Sequence, residues 1–395
     1  MLQHIKRLQR IATASERLVI GLMSGTSLDG LDIALCRISA HGRSTMLQCE
    51  KFTSVAYTKE LKHAVQQVFA KQSVSLDSLC LLNAQIGILH GNMVNQALID
   101  WNIPNSSIDL IASHGQTIYH RPSSFHQIKN QPNSTLQVGD GDHIAALTGI
   151  ITLSDFRQKH IAHGGEGAPL AMYGDYLLLS SEHEHRTLLN IGGIANITYL
   201  PSNISFDNVI CSDIGPGNTI MDALARKHSD DDFDKDANIA KQGSINVSLL
   251  AHLLQHPFIQ LPWPKTTGPE TFNLDWFVYQ LEVMRLRNLT LPDQMATLNA
   301  FTAHSITNTI NQLPQLSTVY VSGGGAHNPL LIDTISKLLN RPIFLTNELG
   351  VNTDAKEAIL FAILANECVA GDEHAFLNDQ TNQPNVSMGK LSFPS

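Results

Sequence analysis

The stretch Leu18–Ile38 constrains this chain more than any other. An apolar run, Leu18 to Leu22, enters the small-residue turn Ser24-Gly25-Thr26-Ser27-Leu28-Asp29-Gly30, and a second apolar-rich run, Leu31 to Ile38, leaves it. Short runs rich in Val, Ile and Leu on either side of a turn read as the two β-strands of a hairpin. Gly25 and Gly30 give the turn access to positive φ and let another group approach the backbone. Thr26 and Ser27 add hydroxyls, and successive backbone N–H groups in such a turn form an anion-binding nest. The Gly-Lys-Ser/Thr of a P-loop is missing and no helix follows, so neither that motif nor the dinucleotide fingerprint applies. On these residues alone an ordinary hairpin turn fits as well as a phosphate cradle.

A chain of 395 residues has room for two domains and a sizeable core. Its net charge of -9 argues against a general nucleic-acid or anionic-membrane binder. An anionic substrate therefore needs a locally basic or N–H-lined pocket. The cysteines (Cys36, Cys49, Cys80, Cys211 and Cys368) show no spacing of a zinc site or redox dithiol and read as reduced thiols of a cytoplasmic protein. No apolar run is long enough to span a bilayer. Met1–Arg17 is basic without a continuous apolar segment, which reads as a frayed or helical extension rather than a secretory signal.

Helical periodicity is expected over Lys59–Ala70 and Leu79–Trp101, after a polar stretch that follows the hairpin. Ile108–Ala112 reads as a buried strand ending in Ser113-His114-Gly115-Gln116-Thr117, and Ile150–Leu153 as another ending at Ser154-Asp155-Phe156-Arg157. The second half repeats the design. Thr187–Ile191, the turn Gly192-Gly193 and Ile194–Leu200 form a hairpin; Val209–Asp213 is a strand entering Gly215-Pro216-Gly217-Asn218. A helix is expected over Thr219–Lys227, and Thr318–Val321 ends in Ser322-Gly323-Gly324-Gly325-Ala326-His327-Asn328. Two such α/β halves, with their glycine loops facing one cleft, are the expected architecture. The acidic loop Asp230–Asp236 fits no calcium-loop spacing, and Glu182-His183-Glu184-His185 reads as an exposed turn.

Eight blocks in order resemble one family, the anhydro-N-acetylmuramic acid kinases. They are Gly21–Asp32, Ser113–Thr117, Gln137–Asp140 with Asp155–Arg157, Gly164–Gly165 with Gly167–Leu170, Asn190–Asn196, Asp213 with Gly215–Asn218, Ser322–Asn328, and Asp354 with Glu357-Ala358. The resemblance implies an α/β, two-domain actin-like ATPase (ribonuclease H-like) fold with duplicated cores and an interdomain cleft. The expected domains are 1–150, completed by 372–395, and 151–371. It also implies an ATP- and Mg2+-dependent reaction with 1,6-anhydro-N-acetylmuramic acid. Water opens the C1–O–C6 bridge and the freed O6 is phosphorylated, giving N-acetylmuramic acid 6-phosphate in peptidoglycan recycling. A cytoplasmic homodimer, with no nucleic acid or membrane partner, completes the expectation.

Roles follow for the matching positions. Asp213 resembles the catalytic base, with Glu357 the second catalytic residue; a helix-capping role for Asp213 is disfavoured by the Gly-Pro-Gly turn that follows it. Gly25, Thr26 and Ser27, with Leu28, Asp29, Gly30, Leu31 and Asp32 of the same motif, would hold the β- and γ-phosphates. Asp29, Asp32 and Glu357 would order Mg2+, since carboxylates beside a phosphate nest need an offsetting cation. Asp29 also reads as a simple turn former, and Glu357 as an exposed helix carboxylate. Gly215, Gly217 and Asn218 would form a second phosphate loop, and Gly323, Gly324 and Gly325, with Asn328, would let adenosine lie on bare backbone. Arg157 suits the lactyl carboxylate, with Arg121 as competitor. His114 is a sugar donor or a structural histidine, and Asp140 completes the sugar contacts. Three departures stand out: Ile214 where threonine is expected, His160 for aspartate, and Pro269 for arginine. Ile214 would remove one hydroxyl near the phosphates, it and His160 would alter substrate positioning or affinity, and Pro269 puts one nucleotide or sugar contact in doubt. A kinase for an open-ring hexose or amino sugar, or a catalytically silent sensor on the same fold, are the competing functions.

Overall fold

The structure is a computed structural model that describes residues 1–25, 28–202, 206–228, 231–268, 270–371 and 386–394. Thr26, Ser27, Asp230 and Pro269 lie outside these residues, as does most of the 372–395 segment. The chain divides into two compact units, Met1–Leu178 with Ala355–Ser395, and Leu179–Asp354. The divisions expected near 150 and 371 fall elsewhere because residues on both sides of them belong to one sheet and its covering helix.

The first unit contains β1 (Glu16–Ser24), β2 (Gly30–Ser39), β3 (Met46–Ala56), β4 (Leu110–Arg121), β5 (Ser134–Val138) and β6 (Ile151–Ser154). Its sheet runs β6-β4-β1-β2-β3, with β5 paired to the outer part of β4 and the strand Lys390–Ser392 beside β6. β1 is antiparallel to β2, and β2 to β3, whereas β4 is parallel to both β1 and β6. Helix Leu76–Asp100 lays Val94, Ala97 and Leu98 on Ile20, Leu22, Leu31, Ile33 and Leu35. A large apolar side chain of this kind contributes about 1.5–3 kcal/mol when fully buried. Helix Lys356–Ala370 packs on β1, β2 and β4, so close that a Cβ on Gly21 would collide with the Ala358 carbonyl. The N-terminal extension forms helix Leu2–Ala12, held by Ile11 in the core and by Arg7 donating to the Gly149 carbonyl at 3.1 Å.

In the second unit β7 (Arg186–Ile191), β8 (Ile194–Leu200), β9 (Ile210–Pro216), β10 (Thr318–Ser322) and β11 (Ile343–Leu345) run in the order β11-β10-β7-β8-β9. The strand senses repeat those of the first unit: antiparallel through β7-β8-β9, parallel through β7-β10-β11. Helix Leu291–Ile310 sets Ala303, Ile306 and Ile310 against Leu189, Ile191 and Ile197. Two copies of one five-strand arrangement are the duplicated cores of a two-domain actin-like ATPase fold. Among the described residues no helix is long and apolar enough to cross a membrane.

Candidate active site

In the second unit, the site grows from a bulge on an edge strand. Asn196 of β8 faces Asp213 and Ala195 faces Gly215, which leaves Ile214 without a cross-strand partner. An extra residue bends a strand and re-aims its neighbours. The Ile214 side chain turns into the core beside Leu189 and Ile197, so a threonine there would be buried, and the expected loss of a phosphate-side hydroxyl does not follow. Asp213 is half-buried, and the segment Lys265–Thr267 runs alongside it. The Asp213 N–H donates to the Lys265 carbonyl and the Thr267 N–H donates to Asp213 Oδ2, both at 2.9 Å. Among the described residues no cation pairs with this carboxylate; the nearby Lys265 ammonium donates instead to the carbonyls of Phe258 and Ile259 at 2.9 Å each. Burial raises the Asp213 pKa to about 6, helped by Glu270 and opposed by the Thr267 N–H. A carboxylate poised near neutrality suits a general base. The Thr267 hydroxyl is buried with no partner among the described residues, the kind of group a ligand satisfies.

Three glycine turns meet nearby. Gly217 and Asn218 donate their N–H groups to the carbonyls of Gly193 and Gly192 at 2.8 and 2.9 Å. A Cβ on Gly217 would strike the Gly192 carbonyl. Gly323 has φ +82°, and a Cβ there would lie 2.7 Å from Asn190 Oδ1 and 2.8 Å from the Ile191 carbonyl. Gly325 is hemmed in by Ile191, whereas Gly324 faces only the Asn218 amide, 3.7 Å from where its Cβ would be. So Gly217, Gly323 and Gly325 are demanded by close backbone and side-chain neighbours, and only Gly324 presents bare backbone. Asn328 caps helix Pro329–Leu339 through Oδ1, which accepts from Leu331 N at 2.9 Å. Its side chain also meets Asn299, which lines a cavity of about 190 Å³ with Gly243, Ile245, Ala296, Ala300 and Leu330. No sequence signal points to that cavity, because its walls come from three separate segments.

In the first unit, Asp155 adopts φ +56° and turns the chain from β6 into helix Phe156–Ala162, aiming Arg157 at β4. Arg157 Nε donates to His114 Nε2 at 3.0 Å and Nη1 to the Gly167 carbonyl at 2.7 Å. Burial lowers the guanidinium to about 10, with Glu357 acting the other way. His114 is held well below its ordinary range by burial and by the Arg157 cation. It is neutral, with Nε2 given to the arginine as an acceptor, so that nitrogen is not the sugar donor expected. Glu357 lies in the first turn of helix Lys356–Ala370. Although its surface is exposed, loss of hydration among surrounding groups raises its pKa, Asp32 and Asp175 add to this, and Lys356 and Arg157 oppose it. Asp32 is half-buried and Asp29 exposed. Gly30 is fixed against the Val55 carbonyl, Leu31 is a core residue, and buried Leu28 takes φ +61°, its N–H donating to the Gly25 carbonyl at 3.3 Å.

Matches to known proteins bear on this arrangement. The family model described as anhydro-N-acetylmuramic acid kinase matches residues 17–388. The chain belongs to that family. It is 52% identical to the anhydro-N-acetylmuramic acid kinase of Pseudoalteromonas atlantica over 100% of both chains, and 51% identical to that of Pseudoalteromonas translucida over 99% of each. The enzyme of that name from Caldanaerobacter subterraneus is 37% identical over 98% of this chain and 99% of its own. This anhydro-N-acetylmuramic acid kinase family member is therefore a phosphotransferase whose acceptor is an anhydro amino sugar of peptidoglycan recycling.

Against the family's motifs, the structure brings His114, Arg157, Glu357 and Asp32 into one electrostatic neighbourhood, and Asp213, Asn218 and the glycine turns into another. Asp140 is otherwise engaged: its Oδ1 accepts from Asp142 N at 2.9 Å and lies 3.1 Å from His143 Nδ1, capping helix Gly141–Thr148. It does line, with His114, Gln137, Asp142, Asp155 and Lys390, a polar cavity of about 400 Å³. Arg121 Nε is buried with no partner among the described residues, which keeps that arginine in contention for the sugar carboxylate. His160 is structural: Nε2 sits 3.0 Å from the Tyr173 hydroxyl and Nδ1 accepts from Gly167 N at 2.9 Å. It thus fixes the loop whose Gly167 carbonyl holds Arg157. Among the described residues no three His, Cys, Asp or Glu side chains form a metal cluster. Asp32 and Glu357 still fit Mg2+, which takes one or two carboxylates plus substrate phosphates; the Asp32 charge helps to raise Glu357, a mutual repulsion that a cation would offset.

Proposed function

We propose that this family member opens and phosphorylates its sugar with Asp213 as the base and Arg157 as the carboxylate anchor. As a kinase of this family it uses ATP. Asp213 takes a proton from the water that bonds to C1; the C1–O6 bond breaks; O6 bonds to the γ-phosphorus; and the bond to the β-phosphate oxygen breaks, releasing ADP. The proton then leaves Asp213 for solvent. The single observation carrying this reading is the Asp213 carboxyl, raised to about 6 by burial with no cation beside it among the described residues. It is ionised at neutral pH and still basic enough to accept a proton.

Arg157, already oriented by His114 and Gly167, offers its remaining guanidinium face to the lactyl carboxylate. The hairpin turn between β1 and β2, through Gly25, Asp29 and Gly30, supplies backbone N–H groups to the phosphates, and the Gly215–Asn218 turn, whose Gly217 and Asn218 N–H groups are held by the Gly193 and Gly192 carbonyls, offers them the Asn218 side-chain amide. The cavity beside Asn299 and Asn328 is apolar enough for a purine. Mg2+, when bound through Asp32 and Glu357, would neutralise charge on the transferring phosphoryl group. The deciding experiment incubates the protein with ATP and 1,6-anhydro-N-acetylmuramic acid in ¹⁸O-labelled water. The expected result is ADP and a sugar 6-phosphate carrying the label at C1. A phosphorylated sugar lacking the label would mean an ordinary sugar kinase, and no ADP would mean a sensor.

A further inference from the structure

A buried polar chain in the first unit takes no part in the roles above. His90 lies within helix Leu76–Asp100, Tyr57 just beyond β3, Ser24 at the end of β1 and Gln116 in β4, and all four are buried. The Tyr57 hydroxyl is 2.7 Å from His90 Nε2 and 2.8 Å from Ser24 Oγ. Ser24 Oγ is in turn 2.5 Å from Gln116 Oε1. Gln116 Nε2 donates to the carbonyls of Gly25 and Thr117, at 3.3 Å each.

The direction of every hydrogen bond in this chain follows from its far end. The Gln116 amide faces two carbonyls, so that edge is the nitrogen and the Ser24 edge is the oxygen. That oxygen only accepts, so Ser24 donates to it. The single Ser24 proton being used, Tyr57 donates to Ser24. The single Tyr57 proton being used, His90 must donate to Tyr57 through Nε2. His90 is neutral, because burial lowers it to about 4, and so its one ring proton sits on Nε2. Nδ1 is then a bare acceptor, in keeping with its having no partner among the described residues.

We infer that His90, Tyr57 and Ser24 are positioning residues that orient the Gln116 amide, which, together with the Leu28 N–H, keeps the Gly25 carbonyl turned into the protein. A carbonyl oxygen swung outward at the hairpin turn would set negative charge against an incoming phosphate. The inference rests on the reading of that turn as a phosphate cradle. The relay reaches it from helix Leu76–Asp100 and from the segment just beyond β3.

The test uses the full chain. Tyr57→Phe keeps the ring, which stacks on His90 at a centroid distance of 6.1 Å, and removes only the hydroxyl. Loss of the hydroxyl's two buried hydrogen bonds unpins Ser24 and the Gln116 amide beyond it, which predicts roughly tenfold weaker binding of a non-hydrolysable ATP analogue by calorimetry. An equal rise in KM for ATP is expected, with KM for the sugar unchanged. Nitrogen-15 NMR of the wild-type protein should find His90 protonated at Nε2, a measurement that needs no variant. A His90 proton on Nδ1, or a folded Tyr57→Phe protein with wild-type analogue affinity, overturns the relay. Failure of the wild-type protein to bind the analogue would instead remove the phosphate cradle beneath it.

Discussion

Asp213→Asn separates catalysis from stability, and the two should move in opposite directions. The folded protein raises this carboxyl from 3.8 to about 6. A tenfold change in an acid's ionisation constant corresponds to about 1.36 kcal/mol, so holding the ionised form in place costs roughly 3 kcal/mol above pH 7. Because the folded pKa is the higher one, the protonated form favours folding. This contribution is complete below the unfolded value of about 4 and is lost as pH rises through about 6. Asparagine has no charge at any pH, and its oxygen can still accept from Thr267 N, but its two amide protons need partners, at a cost of about 1–2 kcal/mol. The net expectation at pH 8 is a gain of about 1–2 kcal/mol, which for a domain of this size is roughly 2–8 °C in Tm. At about pH 4.5 the advantage should vanish, since the wild-type group is then protonated. Turnover should meanwhile drop by about 10²- to 10⁴-fold with ATP binding intact. Scanning calorimetry at the two pH values and a coupled ADP assay give the answer. A variant less stable at pH 8, or one keeping more than a tenth of the turnover, refutes the assignment of an uncompensated buried base.

Other consequences are open to simpler measurements. In the wild-type enzyme kcat/KM should fall about tenfold per pH unit below an apparent pKa of about 6; a flat profile down to pH 5 would exclude Asp213 as the base. Arg157→Lys cannot serve His114, Gly167 and a carboxylate together, so KM for the sugar should rise about 10- to 100-fold with KM for ATP unchanged. If Arg121→Lys has that effect instead, the anchor is Arg121. Gly21→Ala drives a methyl into the Ala358 carbonyl and should lower stability by at least about 1–3 kcal/mol in urea unfolding; an unchanged midpoint would mean that the helix shifts freely.

The hairpins are legible because both sides of each turn are apolar and each turn is rich in glycine. Leu18–Ile38 and Thr187–Leu200 fold as they read. β3 gives no such signal, because it is an edge strand whose residues are mostly part-exposed and polar, as in Cys49-Glu50-Lys51. β5 is hidden for a similar reason. His160 and Ile214 mislead because a motif position carries no direction: one points into a loop's backbone and the other into the core. Thr267 lies outside the motif blocks, and its hydroxyl gains meaning only from the strand beside it.

The order of residues alone determined the strand-turn-strand units, their repetition and the family, since these depend on local periodicity, on glycine placement and on motifs kept in sequence. Tertiary structure decided what each polar group is free to do. Asp213 and Asp140 are the same residue type, each near a glycine turn. One is held by a single backbone donor with an elevated pKa; the other is used up capping a helix and facing His143. Desolvation and competition for hydrogen bonds are set by neighbours distant in the chain, and no local pattern encodes them.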